Sequence, residues 1–180
     1  MSHYIRSQPP GATYFFTARL ADRNSTLLTD RIELLRQVTR LTRQRYPFEI
    51  DAVVILPAAI HTLWTLPRGD ADCSIRWRFL KSAFSRAVPT AEDHPNVKKV
   101  RTDKGIWQRH FWEHRIRSPQ DLALHRTLIH TAPVQAGLVD DPSDWAWTSL
   151  HRDMAVAHPA TYPEPPKPFG ALKLKNPAPS

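Results

Sequence analysis

The residues of this chain best suited to chemistry are cations and aromatic rings set close together. Residues 97–117, VKKVRTDKGIWQRHFWEHRIR, hold seven Lys or Arg against two acids, which is +5 of the chain's formal +8. Trp107, Phe111 and Trp112 lie among those charges. Cations hold phosphate and aromatic faces stack on bases, so the run has the make-up of a nucleic-acid track. The alternative is a solvated basic loop whose aromatics belong to the core. Upstream, Ser74, Arg78, Lys81, Ser82 and Ser85 fall on one side of a helical pattern. Two cations and three hydroxyls on one face suit phosphate oxygens, and they also suit plain solvent. The candidate contacts are therefore Arg78, Lys81, Lys98, Lys99, Arg101, Trp107, Arg109, Arg115 and Arg117, with Trp107 or Trp112 as the ring that stacks on a base. His114, His125 and His130 are close in sequence, but no two are four residues apart, so they read as structural or phosphate-facing rather than as a zinc set. Cys73 falls on the apolar side of its helix and reads as a small core residue rather than a nucleophile.

Composition narrows the classes. The chain has 180 residues, 41% hydrophobic and 23% charged, which is one globular domain or one domain with a tail. A single cysteine excludes a disulfide framework and a multi-cysteine zinc site. The longest apolar run, Ala52 to Ile60, is far shorter than the roughly 20 residues of a bilayer span and contains Pro57. The start, MSHYIRSQPPG, has no apolar core of a secretory signal. The expectation is a cytoplasmic protein with no membrane association. A pI near 10.1 favours polyanionic partners, nucleic acid before acidic membrane surface.

These side chains must be positioned by regular elements. Gly11 to Leu20 reads as a strand, rich in aromatics and Thr. Residues 21–27 read as a turn. Asp30, with Glu33 three residues on, reads as the cap of a helix carrying Ile32, Leu35, Val38 and Leu41 and stopping near Tyr46, before Pro47. Phe48 to Leu56 and Ile60 to Leu66 read as a hairpin broken by Pro57. Ser74 to Ala87 reads as a second helix with Trp77, Leu80, Ala83 and Phe84 on its apolar face. Ile106 to Trp112 reads as a fourth strand, Pro119 to about Gly137 as a third helix, and Trp145 to His151 as a closing segment. Seven of the 17 prolines fall between Pro159 and Pro179, so residues 155–180 read as a Pro-rich, disordered tail after a domain spanning 1–154. The order of elements predicts an α+β, ferredoxin-like split βαβ domain: a central antiparallel sheet with helices packed on one face.

Ile55-Leu56-Pro57-Ala58-Ala59-Ile60-His61-Thr62-Leu63-Trp64 resembles a segment of the REP-associated tyrosine transposases, which belong to the HUH single-tyrosine group. So do Gly11 through Thr17, Trp77-Arg78 through Ser85, Gly105-Ile106-Trp107-Gln108-Arg109 with Phe111-Trp112-Glu113-His114, and Asp121, His125, Ile129-His130, Pro133-Val134 and Gly137-Leu138-Val139. The resemblance covers roughly residues 4–152. It implies a ferredoxin-like fold and binding of single-stranded or hairpin DNA from short palindromic repeats, with Tyr4 and Arg6 of the N-terminal arm helping to recognise the repeat. It implies cleavage by a tyrosine hydroxyl that is left joined to a 5′-phosphate. It also implies a divalent metal, Mg²⁺ or Mn²⁺, held by two histidines at i and i+2 of a strand, which point to one face, and by an Asn four residues after the tyrosine.

The departures from the family pattern fall together. Ala58 stands at the acid position, Ala59 at the first histidine position, Leu128 at the nucleophile position and Ala132 at the Asn position; His61 alone is retained, as a vestige. Leucine has no nucleophilic atom. Of the tyrosines, Tyr14 reads as core, Tyr46 as a helix end, Tyr162 as tail and Tyr4 as an arm. The expectation is a DNA-binding relative defective in tyrosine-mediated cleavage, with no cofactor required for binding. The alternatives are an active transposase or single-strand endonuclease with a rearranged site, a repurposed RNA-binding or interaction module, or a decaying gene product.

Overall fold

The computed structural model describes residues 11–88 and 105–157. Four strands, β1 (Thr13–Arg19), β2 (Glu49–Leu56), β3 (Ala59–Thr65) and β4 (Trp112–Arg115), form one antiparallel sheet in the order β2-β3-β1-β4. The helices are α1 (Leu27–Asp30), α2 (Ile32–Arg45), α3 (Cys73–Ala87), α4 (Pro119–Gln135) and α5 (Leu150–Ala157). This is the split βαβ order expected from the sequence.

Alternation along β1 divides the interior in two. Tyr14, Phe16 and Ala18 turn to one face and join Leu35, Val38, Trp64, Trp77, Leu80 and Phe84 in the larger core. Phe15 turns to the other face and packs with Ala52, Val54, Leu63, Ile129 and Ala132. The expectation that the helices share one face therefore holds for α2 and α3 and fails for α4. The physical reason is that α2 and α3 are crossovers between strands and are carried to the same side. α4 follows the last strand, and the second set of apolar residues needs a cover. A bulge resets the faces along β2: the register shifts between Ile50 and Ala52, so Ile50 joins Val53 and Ile55 on the larger core while Ala52 and Val54 face the smaller.

Three local readings are corrected. Asp30 does not cap the long helix; it ends α1, a short helix that begins where the segment read as a turn ends, and accepts a hydrogen bond from the Thr26 hydroxyl at 2.7 Å. The fourth strand begins at Trp112 rather than Ile106. Trp107 makes a single bridge to Leu20 while Trp112 opposes Thr17, so five steps on one side face three on the other, and the ladder breaks between them. Phe111, in that break, packs on the larger core. At the other end α5 runs through Ala157, past the boundary set at 155, and residues 158–180 lie outside the described part.

α4 ends at Gly137 as the sequence suggests, and a serine side chain fixes its start. Ser118 caps its start, accepting from Asp121 N at 3.1 Å. Gly137, with φ +69°, ends it: Leu138 N donates to Pro133 O and Gly137 N to Val134 O, the paired bonds of a glycine helix stop. The closing segment covers the edge of β2, where Ile55 N donates to Trp147 O and Ser149 N to Val53 O, both at 2.8 Å. An edge strand with its outer backbone paired is protected from further pairing. Among the described residues no helix is long and apolar enough to cross a membrane.

A buried cation ties the hairpin to α3. Arg76 is fully buried, and its guanidinium donates to Asp70 Oδ2 at 2.6 Å, to Pro47 O at 2.6 Å and to Asp72 O at 2.8 Å. The Arg76 hydrogen bond holds the Asp70 carboxyl below its ordinary range. Arg76→Ala is expected to cost about 3 kcal/mol or more, because it empties a filled site and strands the partners of a buried charge. The pair's contribution is present above the unfolded carboxyl pKa, about 4, and is lost as pH falls through the lowered folded value. Urea midpoints for the variant at pH 7 check this; a loss under about 1 kcal/mol would contradict it.

Candidate nucleic-acid interface and catalytic remnant

The ladder places the remnant. Thr17 opposes His61 on β3 and Trp112 on β4, so these three side chains stand in a row on the α4 face, with Phe15 and His114 in the neighbouring row. Ala59 opposes Arg19 and shares that face. α4 crosses β2 and β3 and presents His125, Leu128, Ala132 and Gln135 to a trough of about 400 Å³ that His61, Thr17, Phe15, Arg19 and Trp112 complete. The expected nucleophile, metal-ligand and Asn positions are thus neighbours in space: Leu128 and Ala132 share the trough with His61. Ala58 departs from this grouping. It lies in the turn between β2 and β3 and packs against the larger core on the opposite side.

His61 is built as a neutral, hydrogen-bonded side chain. Its Nδ1 lies 2.8 Å from Thr17 Oγ1, and its ring lies parallel to Phe15 at 6.1 Å. Burial, with the nearby Arg19 charge, pushes its pKa down to about 4, so at neutral pH it carries no charge. The divalent metal implied by the resemblance meets the imidazoles of His61 and His125 here, each with its Nδ1 engaged, and no carboxylate among the residues lining the trough. Mg²⁺ and Mn²⁺ want several oxygen ligands. The residues present do not fit that cation. Nor does either described tyrosine approach: Tyr14 faces the opposite core, and Tyr46 packs on Phe79 at the end of α2. Tyr4 and Tyr162 lie outside the described residues.

Beside the trough the structure assembles a group not expected from the histidine spacing. Donor atoms of His114, Asp121 and His125 all lie within 4.8 Å of one another, while His130 stands apart, 3.3 Å from Asp153 of α5. Asp121 accepts from His114 Nε2 at 2.9 Å and from Arg117 N at 2.9 Å; these two contacts, led by that with His114, lower its pKa. His125 Nδ1 is 2.9 Å from Asp121 O and 3.0 Å from its carboxylate, and the two imidazoles stack at 4.5 Å. Two imidazoles and a carboxylate form a donor set for a borderline cation such as Zn²⁺ rather than for Mg²⁺. As built, the group is a hydrogen-bonded lock between the end of β4 and the start of α4. Asp121 was the missing member, and its signal was present in the sequence: three residues after the cap Ser118 and four before His125.

The candidate phosphate-binding residues divide between places. Arg78, Lys81 and Arg109 surround a cleft of about 370 Å³ on the α3 side, lined also by Ser74, Ser82, Ser85, Trp107 and Gln108. Arg78 and Arg109 are exposed. Lys81 is half-buried: Nζ donates to Gln108 O at 3.0 Å and lies 5.9 Å from the Trp107 ring and 5.7 Å from Phe111. Burial lowers its pKa to about 8. Trp107 forms a wall of this cleft with its ring edge-on to Phe84, whereas Trp112 is the ring that stands in solvent, 55% exposed. Arg115 opposes Tyr14 and so lies on the α3 face of β4; Arg117 follows β4, exposed. Lys98, Lys99 and Arg101 lie outside the described residues.

Comparison with known proteins agrees with this geometry. No protein-family model matches the sequence. A Haemophilus influenzae protein provisionally assigned as a REP-associated tyrosine transposase is 43% identical over 166 residues, covering 91% of this chain and 92% of its own length. The REP-associated tyrosine transposase of Escherichia coli is 41% identical over 155 residues, covering 86% of each. A solved structure of a REP-associated tyrosine transposase bound to a REP hairpin is similar with a TM-score of 0.76 at 38% identity, over 96% of this chain and 98% of that one. With identity at this level over nearly the whole length of both chains, and the same fold, the chain belongs to the REP-associated tyrosine transposase family.

Proposed function

We propose that this protein binds hairpin or single-stranded DNA of a short palindromic repeat in the cytoplasm and does not cut it. The observation that carries the second half is the trough itself: Leu128 and Ala132 stand beside a neutral His61, and Ala59 beside Arg19, so the place where phosphorus chemistry would occur offers no tyrosine, and His61 lacks the second strand histidine that would pair with it. The first half is supported by the relative solved with a REP hairpin and by the charge of this chain, +8, with Arg78, Lys81 and Arg109 gathered around one cleft. Exposed guanidinium groups and Lys81 hold backbone phosphates, and the three serines of the cleft donate hydroxyls to the same oxygens. Binding requires no metal in this reading, because charge neutralisation and stacking supply it.

Hairpin affinity should fall steeply with salt. Each phosphate neutralised on a single strand contributes roughly −0.7 to the slope of log K against log salt, so about four to six engaged cations give about −3 to −4. Fluorescence anisotropy over a salt series reads this, and a slope near zero contradicts the cationic track. Lys81 adds a pH signature. It is charged at pH 7 and loses its proton as pH rises through about 8, so affinity should fall between pH 7 and 9. Lys81→Arg should remove that fall, since guanidinium stays charged.

Restoring the missing groups should restore chemistry. Ala59→His, Leu128→Tyr and Ala132→Asn together place two imidazoles, a phenol and an amide around one trough, and some cleavage of a repeat hairpin in Mn²⁺ is the expected outcome. Leu128→Tyr alone should remain inactive, because the metal still lacks its paired imidazole. Cleavage by that single variant would mean that the metal site is not what was lost.

A further inference from the structure

Opposite the trough, on the α2 and α3 side of the sheet, a further concavity opens where α2 meets the closing segment at the edge of β2. Ile32 and Leu35 of α2, with Ile50, Val53 and Ile55 of β2, form its floor. Residues 146–149 form the facing wall, and the backbone bonds of Trp147 and Ser149 to β2 hold that wall in place. The volume, about 330 Å³, falls within the range of roughly 300–1,000 Å³ usual for small-molecule clefts. Arg78, Lys81 and Arg109 line the cationic cleft and His61 and Leu128 the trough, and none of them lines this cavity.

The polar groups around this apolar floor are of one kind. Its hydroxyls already serve the backbone: Thr39 Oγ1 donates to Leu35 O at 2.8 Å, Ser149 Oγ accepts from Val53 N at 3.0 Å, and Thr148 Oγ1 accepts from Leu150 N at 3.2 Å. Three guanidinium groups remain, Arg36, Arg40 and Arg152, and no carboxylate lines the cavity among the described residues. Two of the three are engaged. Arg36 pairs with Glu33 at 2.5 Å and lies over the Trp147 ring at 5.2 Å, which fixes the indole as one side of the cavity. Arg152 donates to the carbonyls of Ile50 and Asp51 and pairs with Asp153. Arg40 is exposed and has no hydrogen bond or ion pair among the described residues.

We propose that this cavity binds a small amphipathic carboxylate, with an aryl or short alkyl body on the floor against Trp147 and the carboxylate on Arg40. The inference is independent of the DNA-binding reading and goes beyond it. Charge and polarity together select the occupant. An inorganic anion gains nothing from the five aliphatic side chains of the floor. A cation is repelled by three guanidinium groups, and a rim of donors gives the N–H groups of a neutral amide no acceptor. A carboxylate meets the free guanidinium of Arg40 through two parallel N–H···O bonds, the geometry in which that pair is strongest. A ligand seated there touches both α2 and the segment that seals the β2 edge, so it stabilises the folded chain as it binds.

The test is calorimetric titration of the full chain with three probes: 3-phenylpropionate, its neutral amide, and acetate. The carboxylate should bind at one site with a Kd on the order of 0.1 mM, the scale for a ligand of that size. The amide and acetate should bind about 10-fold more weakly or not at all. Arg40→Ala removes an exposed side chain with no partner to strand, and it should weaken the carboxylate about 10-fold, the scale of one charged hydrogen-bonded contact. Arg40→Lys should recover part of that loss. Thr39→Trp, which fills the cavity from α2, should abolish binding, while Arg78→Ala, in the cationic cleft, should leave it unchanged. Equal binding of amide and carboxylate, no effect of Arg40→Ala, or loss of binding in Arg78→Ala overturns the proposal. So does a full chain that takes up none of the probes, the result expected if a segment of the chain itself fills the cavity. Hairpin affinity measured on the same preparations reads the DNA-binding function separately, so either reading can fail while the other stands.

Discussion

Everything in this molecule depends on the alternation along β1. As a central strand, it sends Tyr14, Phe16 and Ala18 into the main core and Phe15, Thr17 and Arg19 to the opposite side. The first set fixes α2 and α3 against the sheet. The second aligns His61 and Trp112 to either side of Thr17 and provides the surface on which α4 rests. A shift of one residue in the pairing of β1 would exchange the two sets, placing Arg19 in the core and Tyr14 in the trough. The functional face and the hydrophobic core are therefore specified by the same strand and cannot be altered separately at these positions.

Beyond β1, the supports of the scaffold are separate from the positions 59, 128 and 132 of the trough face. Leu128 and Ala132 lie on α4, yet α4 is held by Ile129 packing on the sheet, by the Ser118 cap, by the His114–Asp121–His125 lock and by the glycine stop at Gly137. Each of these supports is independent of a tyrosine at 128. Likewise β3 is held by its pairing on both sides and by Ile60, Trp64 and Leu63 in the two cores, so alanine at 59 costs the sheet nothing it needs. The stability of the fold and the chemistry of the trough draw on different side chains, which allows one to be kept without the other. Lys81 is the counterexample: its amine holds the Gln108 carbonyl and is also a candidate phosphate ligand.

Much of this was legible in the sequence, for identifiable reasons. The strands that became β1, β2 and β3 announce themselves by aromatic and β-branched runs between Gly and Pro, and Gly137 is a local signal that the backbone obeys. Burial of Tyr14 and exposure of Arg78 follow from periodicity. The fourth strand was misplaced because Trp107 and Phe111 look like strand residues; one is bridged to Leu20 and the other folds inward, and only the register of β1 reveals that the ladder is interrupted there. The side taken by α4 was not legible, since the sheet's second apolar face becomes visible only after the strands are paired and the bulge at Asp51 is known. In the site, the grouping of Leu128, Ala132 and His61 follows from the positions that the family resemblance assigns them, and all three line one trough. Asp121 shows half of its role in the sequence, three residues after Ser118 and four before His125, while its contact with His114 of β4 emerges only once the sheet is paired.

The central claim is that this chain holds repeat DNA without forming a bond to it. The most direct measurement is a denaturing gel of the unmodified protein after incubation with an end-labelled repeat hairpin carrying single-stranded flanks, in Mg²⁺ and in Mn²⁺. Under conditions where the native complex is saturated, the account expects full-length DNA and no labelled protein band. A labelled band that survives denaturation and disappears on protease treatment would show a covalent protein–DNA bond and contradict the account.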